Sequence, residues 1–361
     1  MGNSARWTES VTVREIPQAR LSAVAWLVLV LVTTGVAAWE WKMRSLGLLA
    51  GDFNDGKQAW AVERRKLEAG NHDGVVIVGG SRILFDTDLD VWKEMTGKRP
   101  VQLAMPGWNG QPVLKDIADN TRFDGLVVFD VAPTQLFREG GGGNPVFAGV
   151  LDYWREEGPA QRASHQIARF LERYFAFMER MYSLTLLIDH LDLPNRGKIN
   201  GPYLSPWKLS ENYDGRQAVL WREIETNERL REHAIRVWLA TQRPPPAEEL
   251  VARICTDIAG SVAKIRARGG DVVFIRPPSS GEYLAREDRA TPRAATWERL
   301  LRESGSFGIH FQDYADMQDL NLPELSHLAR EDADRFTRAY VGVLRERYVG
   351  LRPGAVLHPR R

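Results

Sequence analysis

The chain has one cysteine in 361 residues, Cys255, which excludes an internal disulfide framework and any multi-cysteine metal site. A lone thiol without a local signature reads as a small core residue. Charge of either sign is in no excess. Lys and Arg number 48 against 47 Asp and Glu, for a net charge of +1, so nothing points to a nucleic acid recruited by electrostatics. Histidines are few, seven in all. Six of them (His72, His165, His190, His233, His310 and His358) lack ligand-like spacing to acids, and no metal or other cofactor is expected. Internal repeats are absent. Charge itself is missing from Leu21 to Trp39, "LSAVAWLVLVLVTTGVAAW".

That uncharged run is long enough to cross the ~30 Å hydrocarbon layer as a helix. Trp39 and Trp41 stand at its far edge, where indoles favour the interface. Val36-Ala37-Ala38 also offers small residues to a signal peptidase, but the run exceeds a typical signal core, which favours an uncleaved anchor. The reading is a tail over 1–20, a transmembrane anchor over 21–41, a folded domain over 52–350 and a basic tail over 351–361. Arg6, Arg14 and Arg20 before the helix nearly balance Lys42, Arg44 and Lys57 after it. A single N-terminal anchor places the domain outside the cytoplasm: inner membrane, single-pass, with the large domain periplasmic.

After a polar helical stretch between Asp52 and Gly70, "GVVIVGG" is a continuous apolar run bounded by turn residues, the pattern of a parallel strand buried on both faces. "VWKEMTG" is a helix ended by Gly97, "PVQLAM" a strand, "VLKDIADN" a helix and "DGLVVFDV" a third strand. Strands alternating with helices at this spacing specify a parallel α/β sheet. The rhythm breaks over 138–250, read as a helical insertion or cap whose main helices are "ARFLERYFAFMERMYSLTLLIDHL" and "AVLWREIETNERLREHAIRVWLATQ". It then resumes with a helix over "ELVARICTDIAGSVAKIRARGG", a strand at "DVVFIRPP", a helix at "ATWERLLRESG", a fifth strand within "IHFQDYADM" and a closing helix from Arg330.

Ligands of open parallel sheets bind at the carboxyl ends of the strands. Four groups fall there: Gly80-Ser81-Arg82, Pro106-Gly107-Trp108-Asn109, Asp130-Val131-Ala132-Pro133 and Arg276-Pro277-Pro278-Ser279. A serine nucleophile needs an adjacent base, itself oriented by a third group. "DLNLPELSHLARED" supplies both: His327 precedes the last helix, and Glu324, three residues earlier, can turn back to the imidazole. Each motif has a plain structural alternative, since Gly-Gly-Ser makes turns and His327 can cap a helix. Asp130 reads as a structural partner of Arg82, and Arg276 either as a carboxylate binder or as a group lying across the sheet end. Trp108, Tyr203, Trp207 and Tyr283 are aromatic candidates for stacking on sugars, though such rings also fill cores.

The ordered set of Ser after the first strand, Gly after the second and Glu-x-x-His before the last helix resembles the SGNH (GDSL-like) hydrolase superfamily. The resemblance covers about 73–137 and 268–348. Within it, the anchor, the "GxSR" block at Gly79–Arg82 and the "(D/E)xSHL" block at Glu324–Leu328 are most similar to the membrane-anchored branch that O-acetylates exopolysaccharides such as alginate and cellulose. The resemblance implies a three-layer α/β/α SGNH-like fold with Ser81 as nucleophile, His327 as base and Glu324 as orienting carboxylate. The backbone N–H groups of Ser81 and Gly107 would hold the oxyanion. The third block departs from the pattern: "FDVAPTQLF" has no Asn where GxND carries an oxyanion donor, and Asn109 is the nearby substitute. Arg82, Trp108, Asp130 and Arg276 remain as candidate substrate contacts. The function implied is acetyl transfer to an exopolysaccharide through an acyl-serine, fed by a membrane-bound acyl-donor protein. The alternatives are a carbohydrate acetylesterase and a non-catalytic polysaccharide-binding or scaffold subunit of an export complex.

Overall fold

The structure, a computed structural model, describes residues 21–68, 74–139, 144–183, 208–240, 244–348 and 351. Its centre is a sheet of five parallel strands: β1 (Val75–Val78), β2 (Val101–Gln102), β3 (Leu126–Asp130), β6 (Asp271–Arg276) and β7 (Gly308–His310), in the order β2-β1-β3-β6-β7. Register is continuous across the middle, with Val76 beside Val101 on one side and Val127 on the other, and Val127 beside Val272. The apolar runs are unbroken because each strand is covered twice. Val76, Val78, Val127, Phe129, Val272 and Phe274 face a core closed by the helices Gln111–Asn120, Glu248–Arg266 and Trp297–Ser304. Val75, Ile77, Val128, Val273 and Ile275 face the other, closed by Leu89–Thr96 and Arg330–Arg347. Period-2 alternation sends successive side chains into opposite cores.

The strand order reverses at β1, whose neighbours are β2 on one edge and β3 on the other. Such a reversal opens a crevice at the carboxyl ends. Ser81 follows β1 and Asp130 ends β3, so both stand at that crevice.

Between β3 and β6 the described chain is less helical than its apolar spacing predicts. The helix Pro159–Glu172 stops at Glu172, and 3-10 turns follow at Ala176–Met178 and Arg180–Tyr182. The expected long helix from Ala218 is instead the end of an antiparallel hairpin, β4 (Ser210–Tyr213) with β5 (Gln217–Leu220), followed by the helices Arg222–Thr226 and Glu228–Ala240. Apolar residues over 217–221 satisfy a fully buried strand as well as a helix face, and local periodicity does not separate the two. Arg216, with φ +58, turns the hairpin and is fixed by Asp55 at 2.6–2.7 Å and by the Gln102 and Ala104 carbonyls.

The apolar N-terminal helix spans Leu21–Ser45, with a mean hydropathy of 2.2 in its most apolar window, none of which is buried. It is long and apolar enough to cross a membrane. Only its end is packed: Met43 and the following Leu48 join Ala176, Tyr182, Leu220, Trp221 and Ile224 in a small third core. The helix therefore docks on the segment between β3 and β6.

Candidate active site

Gly79 and Gly80 are required because the end of β1 is squeezed between β3 and the loop after β2. A Cβ on Gly79 would lie 2.2 Å from Asp130 Cβ, and one on Gly80 would lie 2.9 Å from the Trp108 carbonyl oxygen. Real side chains do not tolerate either approach. The gap is closed by a hydrogen bond, the Gly80 N–H donating to Asp130 Oδ2 at 2.9 Å. Ser81 then opens the short helix Ser81–Phe85, half-buried at the mouth of the crevice.

The structure brings Ser81, His327 and Glu324 together. Ser81 Oγ is 2.8 Å from His327 Nε2, and His327 Nδ1 is 2.7 Å from Glu324 Oε1. The same Oε1 accepts the His327 backbone N–H at 2.7 Å. That second bond is possible because the chain turns sharply at Leu325, φ +73, folding the Glu324 side chain back over its own loop. With the carboxylate accepting at Nδ1, that nitrogen carries the proton and Nε2 faces the serine with a lone pair. Both His327 and Glu324 are buried.

Residues flanking these three hold the serine and the Glu-His pair together. Arg82, next to Ser81, donates through Nε to Ser326 Oγ at 3.3 Å, next to His327. Asp86, at the end of the serine helix, accepts the Leu328 N–H at 2.9 Å. The Ser280 N–H donates to the Leu325 carbonyl at 3.0 Å. The Ser-Arg pair and the Ser-His-Leu run thus meet residue against residue.

Arg82 is consequently no surface contact. It is buried and paired with Glu287 at 2.9 Å, not with Asp130 as its position had suggested. Arg276 is buried beside it, pairing the other oxygen of Glu287 at 2.9 Å, with Ser279 and the Pro277 carbonyl as further partners. Burial opposes the charge on Glu287, but Arg82 and Arg276 hold its pKa down at about 2. Burial pulls Arg276 below the ordinary arginine value, and it pushes Asp130 up to about 6, against the Gly80 hydrogen bond and both guanidinium groups. Tyr283 is buried as well, its ring 5.1 Å from the Arg82 guanidinium.

The loop after β2 lies over this centre. Gly107 has φ +73, and a Cβ there would meet Asn144 Cβ at 3.1 Å. Trp108 donates its indole N–H to the Asn144 carbonyl at 2.8 Å. Asn109 is buried and occupied: its amide donates to the Gln135 carbonyl at 3.2 Å, and Oδ1 accepts the Gln111 N–H at 3.1 Å. These contacts tie the start of the following helix to the segment after β3 and give Asn109 a structural task. Tyr203 and Trp207 lie outside the described residues.

Two members of the centre escaped sequence reasoning. Trp238, on the helix Glu228–Ala240, donates its indole N–H to Glu324 Oε2, the oxygen that His327 leaves open. Its ring also stands edge-on to His327 at 5.8 Å, while Phe85 packs on the imidazole at 4.8 Å. Glu287 sits within "REDR", which reads as a solvated charge run. Neither position carries a local signal.

Comparison of the sequence with protein-family models finds no match, and none is found among curated proteins. Among the described residues, no group of three or more His, Cys, Asp or Glu could hold a metal ion.

Proposed function

We propose that this protein is a membrane-anchored, serine-dependent O-acyltransferase of SGNH-hydrolase type, with the three-layer α/β/α architecture of that superfamily, that acetylates an exopolysaccharide. The observation that carries the reading is the hydrogen-bonded series Ser81–His327–Glu324 at the carboxyl edge of a parallel sheet. In this reading the three residues form a catalytic triad. Ser81 Oγ attacks the carbonyl carbon of the acyl donor while His327 Nε2 takes its proton. The bond to the donor's leaving group breaks, and His327 returns the proton to that group. Glu324 holds the tautomer and stabilises the imidazolium. A sugar hydroxyl then attacks the acyl-serine, His327 takes its proton, and the proton returns to Ser81 Oγ as the acyl C–O bond breaks.

The backbone N–H groups of Ser81 and Gly107 are the proposed oxyanion donors, Ser81 because the first residues of a helix have N–H groups without intrahelical partners. Arg82, Arg276 and Asp130 support the centre and do not contact substrate; Trp108 remains the candidate for contact with the sugar. No cofactor takes part. The Leu21–Ser45 helix is the single-pass inner-membrane anchor, with the catalytic domain periplasmic. Tethering at the membrane raises the effective concentration of a membrane-bound acyl donor.

Two measurements test the reading. A fluorophosphonate should label Ser81, located by peptide mass spectrometry, and fail to label a Ser81→Ala variant. With an activated acetyl ester and an oligosaccharide, acetyl should appear on the sugar. Release only to water would replace the transferase with an esterase, and absence of both labelling and turnover would leave a non-catalytic binding protein.

A further inference from the structure

The C-terminal part of the helix Pro159–Glu172 carries an outward apolar patch. Two polar residues there turn toward the protein: Glu172 is buried and accepts from Asn54 Nδ2 at 2.9 Å, and Arg169 pairs with Asp214 with its guanidinium over the Phe53 ring. Large apolar residues beside them turn outward. Ile167 and Phe170 are each 63% exposed, and Tyr174, just past the helix end, is 54% exposed. The spacing of 167, 170 and 174 places them on one face. The Phe170 and Tyr174 rings touch, with centroids 5.2 Å apart, so the patch is continuous. A water-facing helix ordinarily has the opposite arrangement.

The position of this face says what covers it. The chain just beyond it is bonded to the end of the apolar helix: Glu40 accepts the Ala176 and Phe177 N–H groups at 3.0 and 3.1 Å, and Arg44 Nη2 donates to the Tyr174 carbonyl at 3.4 Å. Glu40 is the first charged residue after the uncharged run that begins at Leu21. If that run crosses a bilayer, Glu40 and Trp41 stand at headgroup level, and Tyr174 is held at the same level. Two exposed cations adjoin the patch: Arg173, the chain neighbour of Tyr174, and Arg44, which reaches the Tyr174 carbonyl. Aromatic and aliphatic side chains rimmed by basic residues suit the interface of an anionic bilayer.

We infer that the Ile167–Phe170–Tyr174 face lies in the headgroup region of the same bilayer that the Leu21–Ser45 helix crosses, a second membrane contact that holds the domain on the surface. The inference rests on the anchor reading above. It also links the membrane contact to the serine's surroundings. The helix Glu228–Ala240 packs Leu230 against the core beneath the anchor and carries Trp238 to Glu324, about 12 Å further along its axis.

The test uses the full chain in vesicles of phosphatidylcholine and phosphatidylglycerol, with an environment-sensitive fluorophore on one introduced cysteine at a time. Cys255 is buried and stays unlabelled. Phe170→Cys reports the proposed contact, Val30→Cys the anchor, and Arg335→Cys, on the exposed side of the closing helix, solvent. The 170 label should emit to the blue of the 335 label and lose emission to lipids carrying a nitroxide near the headgroup. The 30 label should lose more to a nitroxide deep in the acyl chain. A quenched 30 label beside a 170 label that behaves like 335 would overturn the surface contact while the anchor stands. Failure of quenching at both 30 and 170 would remove the anchor and the contact together. An unquenched 170 label that cross-links to another copy would make the face a protein interface instead.

Discussion

Trp238→Phe probes the link between the segment that carries the anchor's docking site and the proposed triad. Phenylalanine keeps an aromatic ring beside His327, where the indole now stands at 5.8 Å, but removes the N–H that donates to Glu324 Oε2. Glu324 is fully buried, and its other oxygen already serves both the His327 backbone N–H and Nδ1. Hydrogen bonds to charged groups contribute about 1.5–3 kcal/mol, and an unsatisfied buried acceptor costs a similar amount. For a domain of this size that corresponds to a fall in Tm of about 2–5 °C. The second effect separates positioning from packing. Without the indole donor, more negative charge remains on the carboxylate facing Nδ1, so imidazolium is favoured. The acidic limb of kcat/KM for an aryl acetate then moves to higher pH. The assay is initial-rate hydrolysis from pH 5 to 9, beside thermal unfolding of both proteins. A superimposable pH profile with unchanged Tm would refute the argument. A lower Tm with an unmoved profile would reduce Trp238 to a packing residue.

Ser81→Ala should cut acetyl-ester turnover by at least about a thousandfold while leaving Tm nearly unchanged, and full activity would rule out an acyl-serine. Glu287→Gln leaves two buried guanidinium groups, Arg82 and Arg276, without their shared carboxylate, and should cost about 3–5 kcal/mol in urea unfolding. A loss under about 1 kcal/mol would mean that the cluster is hydrated. Asp130→Asn keeps an acceptor for the Gly80 N–H but removes a buried acid whose pKa is raised from 3.8 to about 6. Between those values the folded protein keeps a proton that the unfolded chain has lost, so ionisation of Asp130 lowers stability as pH rises through the window, by about 3 kcal/mol in all. The variant should therefore gain on the native protein between pH 4 and 7, and a difference in unfolding free energy independent of pH would contradict this. Deleting residues 198–207, which spares the β4–β5 hairpin, should lower transfer to an oligosaccharide more than cleavage of a small ester, and an equal fall in both would count against a sugar-binding role.

The central strands β1, β3 and β6 were legible because each carries a short apolar run bounded by glycine or proline, a pattern that burial on both faces imposes on parallel sheets. The placement of Ser81, Asp130 and Arg276 at strand ends follows from the same reading, since a strand's carboxyl end is visible in one dimension. The convergence of Ser81 with Glu324-x-x-His327 was also foreseeable, because the Glu-His contact is local and only the serine comes from afar. Residues 218–221, the start of an expected helix that otherwise forms over 222–226 and 228–240, were misread for the converse reason. Apolar spacing there fits a helix, and β4 pairing, with Arg216 held by Asp55, decides otherwise.

What the sequence determined by itself was the parallel sheet and the uncharged helix, and it singled out Ser81, Glu324 and His327, which the fold brings together. Tertiary structure alone decided who supports them. Arg82 could have met Asp130 or Glu287, and the choice fell to Glu287 because two buried guanidinium groups converge on its carboxylate. Trp238 lies 86 residues from the carboxylate to which it donates, and its helix reaches that oxygen only because the preceding hairpin and turns are folded against the base of the anchor. Partners of buried charge are chosen by which groups are left without water in the same place, and that is a property of three-dimensional packing to which no spacing along the chain corresponds.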